Sequence, residues 1–439
     1  MSAPRPHFAS AFGVLMTFIG VAVGLGNVWR FPYMTAAFGG GAFLLVYLLV
    51  LVLFGIPALM AELTLGRMTR SGPVRAFSAI GMPAGRLVGW GLFVTVFMAV
   101  SYYTVVVGWV LRYFLISVSA RIRTIDASTF FNEMLAGFGG QFVMTAVVLT
   151  LVAVVLVLGI RQGVERISKI GMPLLFLLLL VLIVRTLTLP GAGAGLRFYL
   201  LPDFSRIDVG VVTAALGQVF FSLALGGTFL MTYASYLPAG ANLKTSAISI
   251  GFGETLAAVL AGFVIVPAAV AFGFDMDSGP PLTFITVPSI FARMPGGPVF
   301  AALFFGLLFF AAFLSTVAAF EVLVTATVDR FGWTRARAAL VFCPASLAAG
   351  TLAMVSFDYM LTSDLFWGST MQPVGSALTL LGLGWMVGLG KTLRAVNEGN
   401  DGKPVGALWY YWIKYVVPVG IIVILGLGVD DLFKAFFGG

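Results

Sequence analysis

The sequence predicts an all-α integral membrane protein, and three observations carry that prediction. Of its 439 residues, 60% are hydrophobic and 10% charged, with a mean hydropathy of +1.06, a balance far from that of a water-soluble domain. The chain also divides into eleven apolar runs, near residues 11-36, 39-66, 87-118, 140-159, 166-188, 211-236, 243-273, 298-328, 338-355, 360-390 and 407-429. Most reach or exceed the roughly 20 residues that cross a bilayer as helix. Finally, the first and sixth runs are interrupted by glycines at matching places, the mark of two inverted halves.

The first run follows a short N-terminal segment, residues 1-10, and carries Gly24, Gly26, Asn27 and Arg30 between Val21 and Tyr33. A helix broken there bares N–H and C=O groups at membrane depth. Each costs several kcal/mol in hydrocarbon, so such a break survives only where protein buries it or where it lines a cavity. Runs two to five complete a first half over 11-188; in the fifth, Gly163 and Pro173 frame nine residues, and the N–H missing at proline lets a helix unwind. The sixth run repeats the interruption, from Gln218 through Ser222, Gly226 and Gly227 to Phe229. It opens a second half over 211-390, and the eleventh run, 407-429, stands outside the repeat.

An odd number of spans puts the termini on opposite sides. With the N-terminus cytoplasmic, most of the 25 Lys and Arg fall on the inner side, among them Arg67, Arg70, Arg75, Arg86, Arg161, Arg166, Lys169, Arg330, Arg335, Arg337, Lys391 and Arg394. The positive-inside rule therefore favours an N-in, C-out protein of the cell (inner) membrane. The net charge of +8 is scattered over short loops, so it reads as topology rather than as a nucleic-acid surface. Cys343 and His7 are the sole residues of their kinds, which excludes an internal disulfide and a Cys/His metal cluster. No nucleophile–base pair stands out among the spans, so an enzyme is not expected. The N-terminus has no separate cleavable signal, and no asparagine lies in an Asn-x-Ser/Thr context.

Several motifs resemble the neurotransmitter:sodium symporters, in particular the shorter bacterial members similar to the bacterial leucine transporter. They include Gly24-Leu-Gly-Asn27, Arg30-Phe-Pro32, Gly39-Gly-Gly-Ala-Phe43, Ile56-Pro57 with Glu62, Gly66-Arg67, Tyr102-Tyr103, Pro202-Asp-Phe204, Gln218 to Phe221, Thr232 to Tyr236, Pro267-Ala-Ala269, Ser315-Thr316 and Asp364 to Pro373. The resemblance implies a LeuT-type fold, a 5+5 inverted repeat with broken helices 1 and 6 plus an eleventh helix. It implies a sodium-coupled symporter that imports a small organic solute by alternating access.

Half-helix N-termini offer N–H groups to an anion, and unwound carbonyls offer oxygens to a small cation. By resemblance, the backbone around Ala22, Leu25 and Gly26 and the hydroxyl of Tyr103 would meet a substrate carboxylate. Members that carry monoamines place an aspartate where this chain has Gly24, so an amino acid bringing its own carboxylate is the expected substrate. Val21, Ala99, Phe221, Ala224, Gly227, Ser315 and Ala319 would line a roomy apolar pocket for a large hydrophobic or aromatic side chain.

One sodium would use the Ala22 carbonyl, Asn27 and Ser222, although Gly253 stands where an asparagine is usual. A second would use the carbonyls of Gly20, Val23 and Ala311 with Ser315, although Leu314 replaces a usual hydroxyl or acid. Tyr47 and Gln218 match part of a chloride site while Gly253 and Ala257 do not, leaving chloride open. Glu254 reads as a structural charge ahead of an anion substitute. Arg30 and Asp364 would form the outer gate. Arg5, Asp329 and Tyr236 would form the inner one, with Phe8 where tryptophan is common. The thinned ion sites keep two alternatives in view, a non-transporting or sensing member of this fold and a proton-coupled amino acid transporter using Glu62 or Glu254. The lipid bilayer is the evident partner; the oligomeric state has no signal.

Overall fold

In hydrocarbon a backbone must satisfy its own hydrogen bonds, and a single segment can do that only as a helix. The structure, a computed structural model, describes residues 8–238, 240–274 and 282–426. Among the described residues no strand forms, and the sole extended pairing is a bridge between Gly40 and Pro202.

Span 1 is a bent pair, Ala11–Ala22 and Gly26–Ala37, with a 58° change of axis. Span 2 is Gly41–Thr69 and span 3 Gly85–Val118. The next helical stretch, Phe138–Leu187, has 50 residues. A straight helix of that length would run about 75 Å, more than twice a hydrocarbon core of roughly 30 Å. It turns a corner at Gly159, which has φ +79° and ψ −171°. A Cβ on Gly163 would lie 2.4 Å from the Val155 carbonyl, eight residues back, an approach a continuous helix cannot make. Span 4 therefore ends at Gly159, and span 5 begins with a wide π-type turn, Ile160–Glu165, followed by Arg166–Leu187.

Span 6 is broken into Val209–Ser222 and Phe229–Ala234. Spans 7, 8 and 9 are Leu243–Ala271, Gly297–Phe331 and Arg335–Val355. Between spans 7 and 8 comes a short apolar helix, Leu282–Arg293. Span 10, Phe357–Val387, is followed after a 115° bend by the short helix Leu389–Asn397, and span 11 is Ala407–Gly426. The described residues thus contain eleven spanning segments. Where these bounds run past the apolar runs, as in spans 2, 8 and 9, helix hydrogen bonding continues beyond the point where hydrophobicity ends.

Burial separates the inner spans from the outer ones. Within the most apolar window of span 3, 72% of residues are buried, against 39% for the stretch holding spans 4 and 5. Val143, Val147, Leu151, Val154 and Leu158 of span 4 stay exposed. Such an apolar band is unfavourable in water and suits lipid. The central spans bring the breaks of spans 1 and 6 against spans 3, 8 and 10.

Candidate functional site

The first break is shaped by glycine and held by side chains from four spans. After Ala22 the chain extends at Val23 (φ −76°, ψ 115°) and becomes helical again from Leu25. The Asn27 Oδ1 accepts from the Gly24 N–H at 2.9 Å, and the Tyr103 hydroxyl from the Leu25 N–H at 3.3 Å. Gln218 Nε2 donates to the Gly26 carbonyl at 3.1 Å, and Ser315 Oγ to the Val23 carbonyl at 3.0 Å. Each contact takes up a group that the lost helical bonds would leave bare. A side chain at position 24 would crowd Ser315 and Tyr103, since a Cβ there would lie 2.7 Å from Ser315 Oγ and 3.1 Å from the Tyr103 hydroxyl.

The second break, residues 223–228, has left-handed backbone at Ala224 (φ 51°), Gly226 (φ 84°) and Thr228 (φ 59°). The buried Glu62 of span 2 accepts from the Gly226 N–H at 2.5 Å. Span 10 approaches so closely that a Cβ on Gly226 would sit 1.6 Å from the Gln372 carbonyl oxygen.

Where the breaks meet there is a cavity of about 90 Å³, lined by Val21, Ala22, Gly24, Leu25, Gly26, Asn27, Ala99, Tyr103, Phe221, Ser222, Ala224, Ser315 and Ala319 among others. Two expectations need correction. Gly227 is not among the lining residues, because the Phe229 ring folds over it, and a Cβ on Gly227 would come within 2.6 Å of that ring. The pocket is also not roomy in this state, since it holds only about 90 Å³ and the Phe229 ring takes the space beside Gly227. Val100, Tyr102, Phe229 and Gln372 also line it and escaped the sequence reading. For Phe229 a signal existed: an aromatic two residues after a glycine can turn its ring into the space that glycine leaves.

Phe221 is the wall between this cavity and a second, outer one of about 410 Å³ that Arg30, Phe38, Thr213 and Pro373 help to line. The expected Arg30–Asp364 ion pair is not formed. Instead the Arg30 guanidinium lies 4.3 Å from the centre of the Phe221 ring, a cation–π contact, and Asp364 Oδ1 accepts from the Tyr102 hydroxyl at 3.0 Å. The Phe221 ring offers the guanidinium a face, and one Arg30 nitrogen, Nη1, is buried without a hydrogen bond.

At the other end, Arg5 lies outside the described residues. Asp329 Oδ2 accepts from the Gly72 N–H at 2.8 Å, and Phe8 packs on Phe18 with ring centres 6.0 Å apart. The Ala9 N–H donates to Glu165 at 2.8 Å, and Lys169 pairs with the same carboxylate at 2.7 Å. Tyr236 donates to Glu321 Oε1 at 2.9 Å. Glu321 is fully buried, and Arg335 grips it with two bonds of 2.9 and 2.5 Å while its Nε donates to the Leu156 carbonyl at 2.9 Å. This network ties spans 4, 6, 8 and 9 together. The sequence reading missed it, although an acid inside an apolar span is costly enough to mark a partnered site.

A model of the sodium:neurotransmitter symporter family matches residues 5–134 and 132–435. The chain belongs to that family. Over 97% of its length it is 32% identical to the uncharacterized sodium-dependent transporter YhdH of Bacillus subtilis, covering 98% of that protein. An uncharacterized sodium-dependent transporter of Haemophilus influenzae is also 32% identical, over 98% of each chain. The crystal structure of MhsT in complex with L-phenylalanine superposes with a TM-score of 0.87 at 33% identity, over 97% of this chain and all of that one. The fold of this chain is accordingly the LeuT type.

Sodium is the ion that this family's members depend on, and the oxygens considered for it are partly engaged. Ser315 Oγ reaches the Val23 and Val21 carbonyls, at 3.0 and 3.3 Å. The Leu314 side chain lies against Gly20, where a Cβ would be 2.9 Å from its methyl, and Ala311 is buried nearby on span 8. At the other position Ser222 Oγ is 3.0 Å from the Tyr47 hydroxyl. A Cβ at Gly253 would meet Ile19 at 2.5 Å, so Ile19 takes the room of the usual asparagine. The neighbouring Glu254, fully buried, accepts a hydrogen bond from Asn27 Nδ2 and one from Thr255 Oγ1 at 3.1 Å. Its carboxylate thus stands beside Asn27, at the first break.

Proposed function

We propose that this protein is a sodium-coupled symporter of the cell (inner) membrane that imports neutral, hydrophobic L-amino acids by alternating access, with its N-terminus in the cytoplasm. The observation that carries the reading is the cavity at the two breaks. Tyr103 faces the Leu25 N–H there, position 24 has no acid, and Val21, Ala99, Val100, Phe229 and Ala319 form an apolar remainder. An α-carboxylate placed at the first break would receive N–H and O–H donors, and a hydrophobic side chain would lie against the apolar wall. The larger side chains need Phe229 turned aside. That MhsT was crystallised with L-phenylalanine supports such a substrate. Phe221 with Arg30 on one side and the Tyr236–Glu321–Arg335 network on the other supply the two closures that alternating access requires.

Decarboxylated analogues test the carboxylate's role. Phenylalanine or tryptophan should stabilise the purified protein against heat in sodium, whereas phenethylamine and tryptamine should not. An amine that stabilises more than its parent amino acid would sink the assignment. The sodium route is tested at Leu314, which cannot coordinate a cation. Leu314→Thr should raise the apparent sodium affinity of uptake into proteoliposomes, because a small cation gains with each hard oxygen offered.

Glu254 favours a second reading, proton coupling, because a buried carboxylate beside Asn27 can exchange protons. Uptake under an imposed sodium gradient, compared with an imposed pH gradient, separates the two. Uptake that follows only the pH gradient and ignores Leu314→Thr points to the proton; binding without uptake under either gradient points to a non-transporting, sensing protein.

A further inference from the structure

We propose that the surface where span 10 ends and span 11 begins holds the headgroup of an anionic phospholipid, with the Lys414 ammonium as its charge partner. This inference rests only on the chain's crossing a bilayer and is independent of what the protein carries. Lys414 is seven residues into span 11, about 10 Å along the helix from its start. Its Nζ lies 5.0 Å from the Trp385 ring centre, 5.5 Å from Tyr415 and 5.8 Å from Tyr410. Tyr410 is four residues earlier, so the side chain points back toward the beginning of the helix, the direction in which a lysine snorkels to the interface.

The cage is fixed from behind and open toward lipid. The Tyr410 hydroxyl donates to the Gly384 carbonyl at 2.6 Å, and Gly384 leaves room for the lysine stem, since a Cβ there would be 3.2 Å from Lys414 Cγ. Outward, Trp385 is 44%, Tyr411 48% and Tyr415 55% exposed. Tyr415 meets the Trp385 ring edge-on at 5.9 Å and stacks on Tyr411 at 6.4 Å. Tryptophan and tyrosine exposed beside a cation are what the headgroup level of a membrane selects.

Among the described residues Lys414 has no carboxylate within ion-pair distance and no hydrogen bond. The rings orient the ammonium without neutralising it, so its N–H groups remain for an outside acceptor. Neighbouring charge has the same sign. Helix Leu389–Asn397, which follows span 10, carries Lys391 and Arg394, and the loop to span 11 carries Lys403. Of the two acids there, Glu398 is 3.9 Å from Arg67 and Asp401 is exposed. A phosphodiester that keeps its negative charge complements this surface, whereas a zwitterionic headgroup brings its own cation.

Native mass spectrometry of the full-length protein, purified in detergent and mixed with equal amounts of phosphatidylglycerol and phosphatidylcholine, tests the site. One basic residue near a charged headgroup changes binding about five-fold, so the wild type should retain phosphatidylglycerol over phosphatidylcholine by at least that factor. Lys414→Met should lower the ratio about five-fold, Lys414→Arg should keep it, and Trp385→Ala should lower it. Lys414→Gln reads the same ratio should the methionine variant not fold. A Lys414→Met or Lys414→Gln protein with the wild-type preference overturns the proposal, as does a lipid-free dimer of this chain covering the face.

Discussion

Arg335→Ala should destabilise the protein severely and abolish uptake, because it strands the Glu321 carboxylate in the interior. Glu321 is fully buried, and the guanidinium meets both of its oxygens. Removing one member of such a pair typically costs about 3 to 5 kcal/mol, since the remaining charge is left uncompensated. The variant also loses the bond from Arg335 Nε to Leu156, which ties this network to span 4. Thermal unfolding in detergent, with the folded fraction followed by size exclusion, measures the effect. Replacing both partners by methionine removes the stranded charge, so the double variant should be more stable than Arg335→Ala alone. A double variant that is the less stable of the two would show that packing, and not the buried charge, sets the cost.

Gly226→Ala should be nearly as damaging, for a different reason. The residue has φ +84°, and a Cβ there would lie 1.6 Å from the Gln372 carbonyl oxygen and 2.5 Å from the Ser376 nitrogen. Both are backbone atoms, so the clash is relieved only by moving span 10 away from the break. The Glu62 bond to the Gly226 N–H would be disturbed by the same shift. Gly81→Ala is the internal control, with φ +76° and nothing within 4 Å of its Cβ. It carries only the left-handed penalty of roughly 1 kcal/mol. Uptake and melting temperature should therefore be close to wild type for Gly81→Ala and lost for Gly226→Ala. Equal effects would mean that the backbone conformation, and not the approach of span 10, makes glycine necessary.

The spans were legible because their cause is local. Hydrocarbon demands helix wherever an apolar run is long enough, so the described segments sit close to the eleven runs read from the sequence. The two breaks were legible too, since Gly24, Gly26, Gly226 and Gly227 lie where a continuous helix would otherwise be favoured. Many residues around the cavity could be named in advance by resemblance, which carries the arrangement of known relatives onto this chain. Gly227 shows the limit of that route. The position lies at the break as expected, but the ring of Phe229, two residues on, occupies the space.

Partners chosen by shape and charge across the bundle were not legible. Glu321 and Arg335 are 14 residues apart on different spans, and neither composition nor periodicity joins them. Arg30 and Asp364 were expected as a pair because they match the outer gate of the family this chain resembles. The guanidinium instead lies on Phe221 and the carboxylate accepts from Tyr102, so competing neighbours decided the contact.

What the sequence determined by itself is the membrane class, the number of spans, the places where two of them break and the absence of an acid at position 24. These follow from hydropathy, segment length and the chemistry of single residues, all of which act locally along the chain. What only the tertiary structure decided is the size of the cavity, the ring that fills it, the partners of each buried charge and the position of Glu254 beside Asn27. Those depend on which surfaces of distant spans meet, and a close-packed interior settles that by excluding every arrangement whose side chains overlap or whose charges are left without a partner.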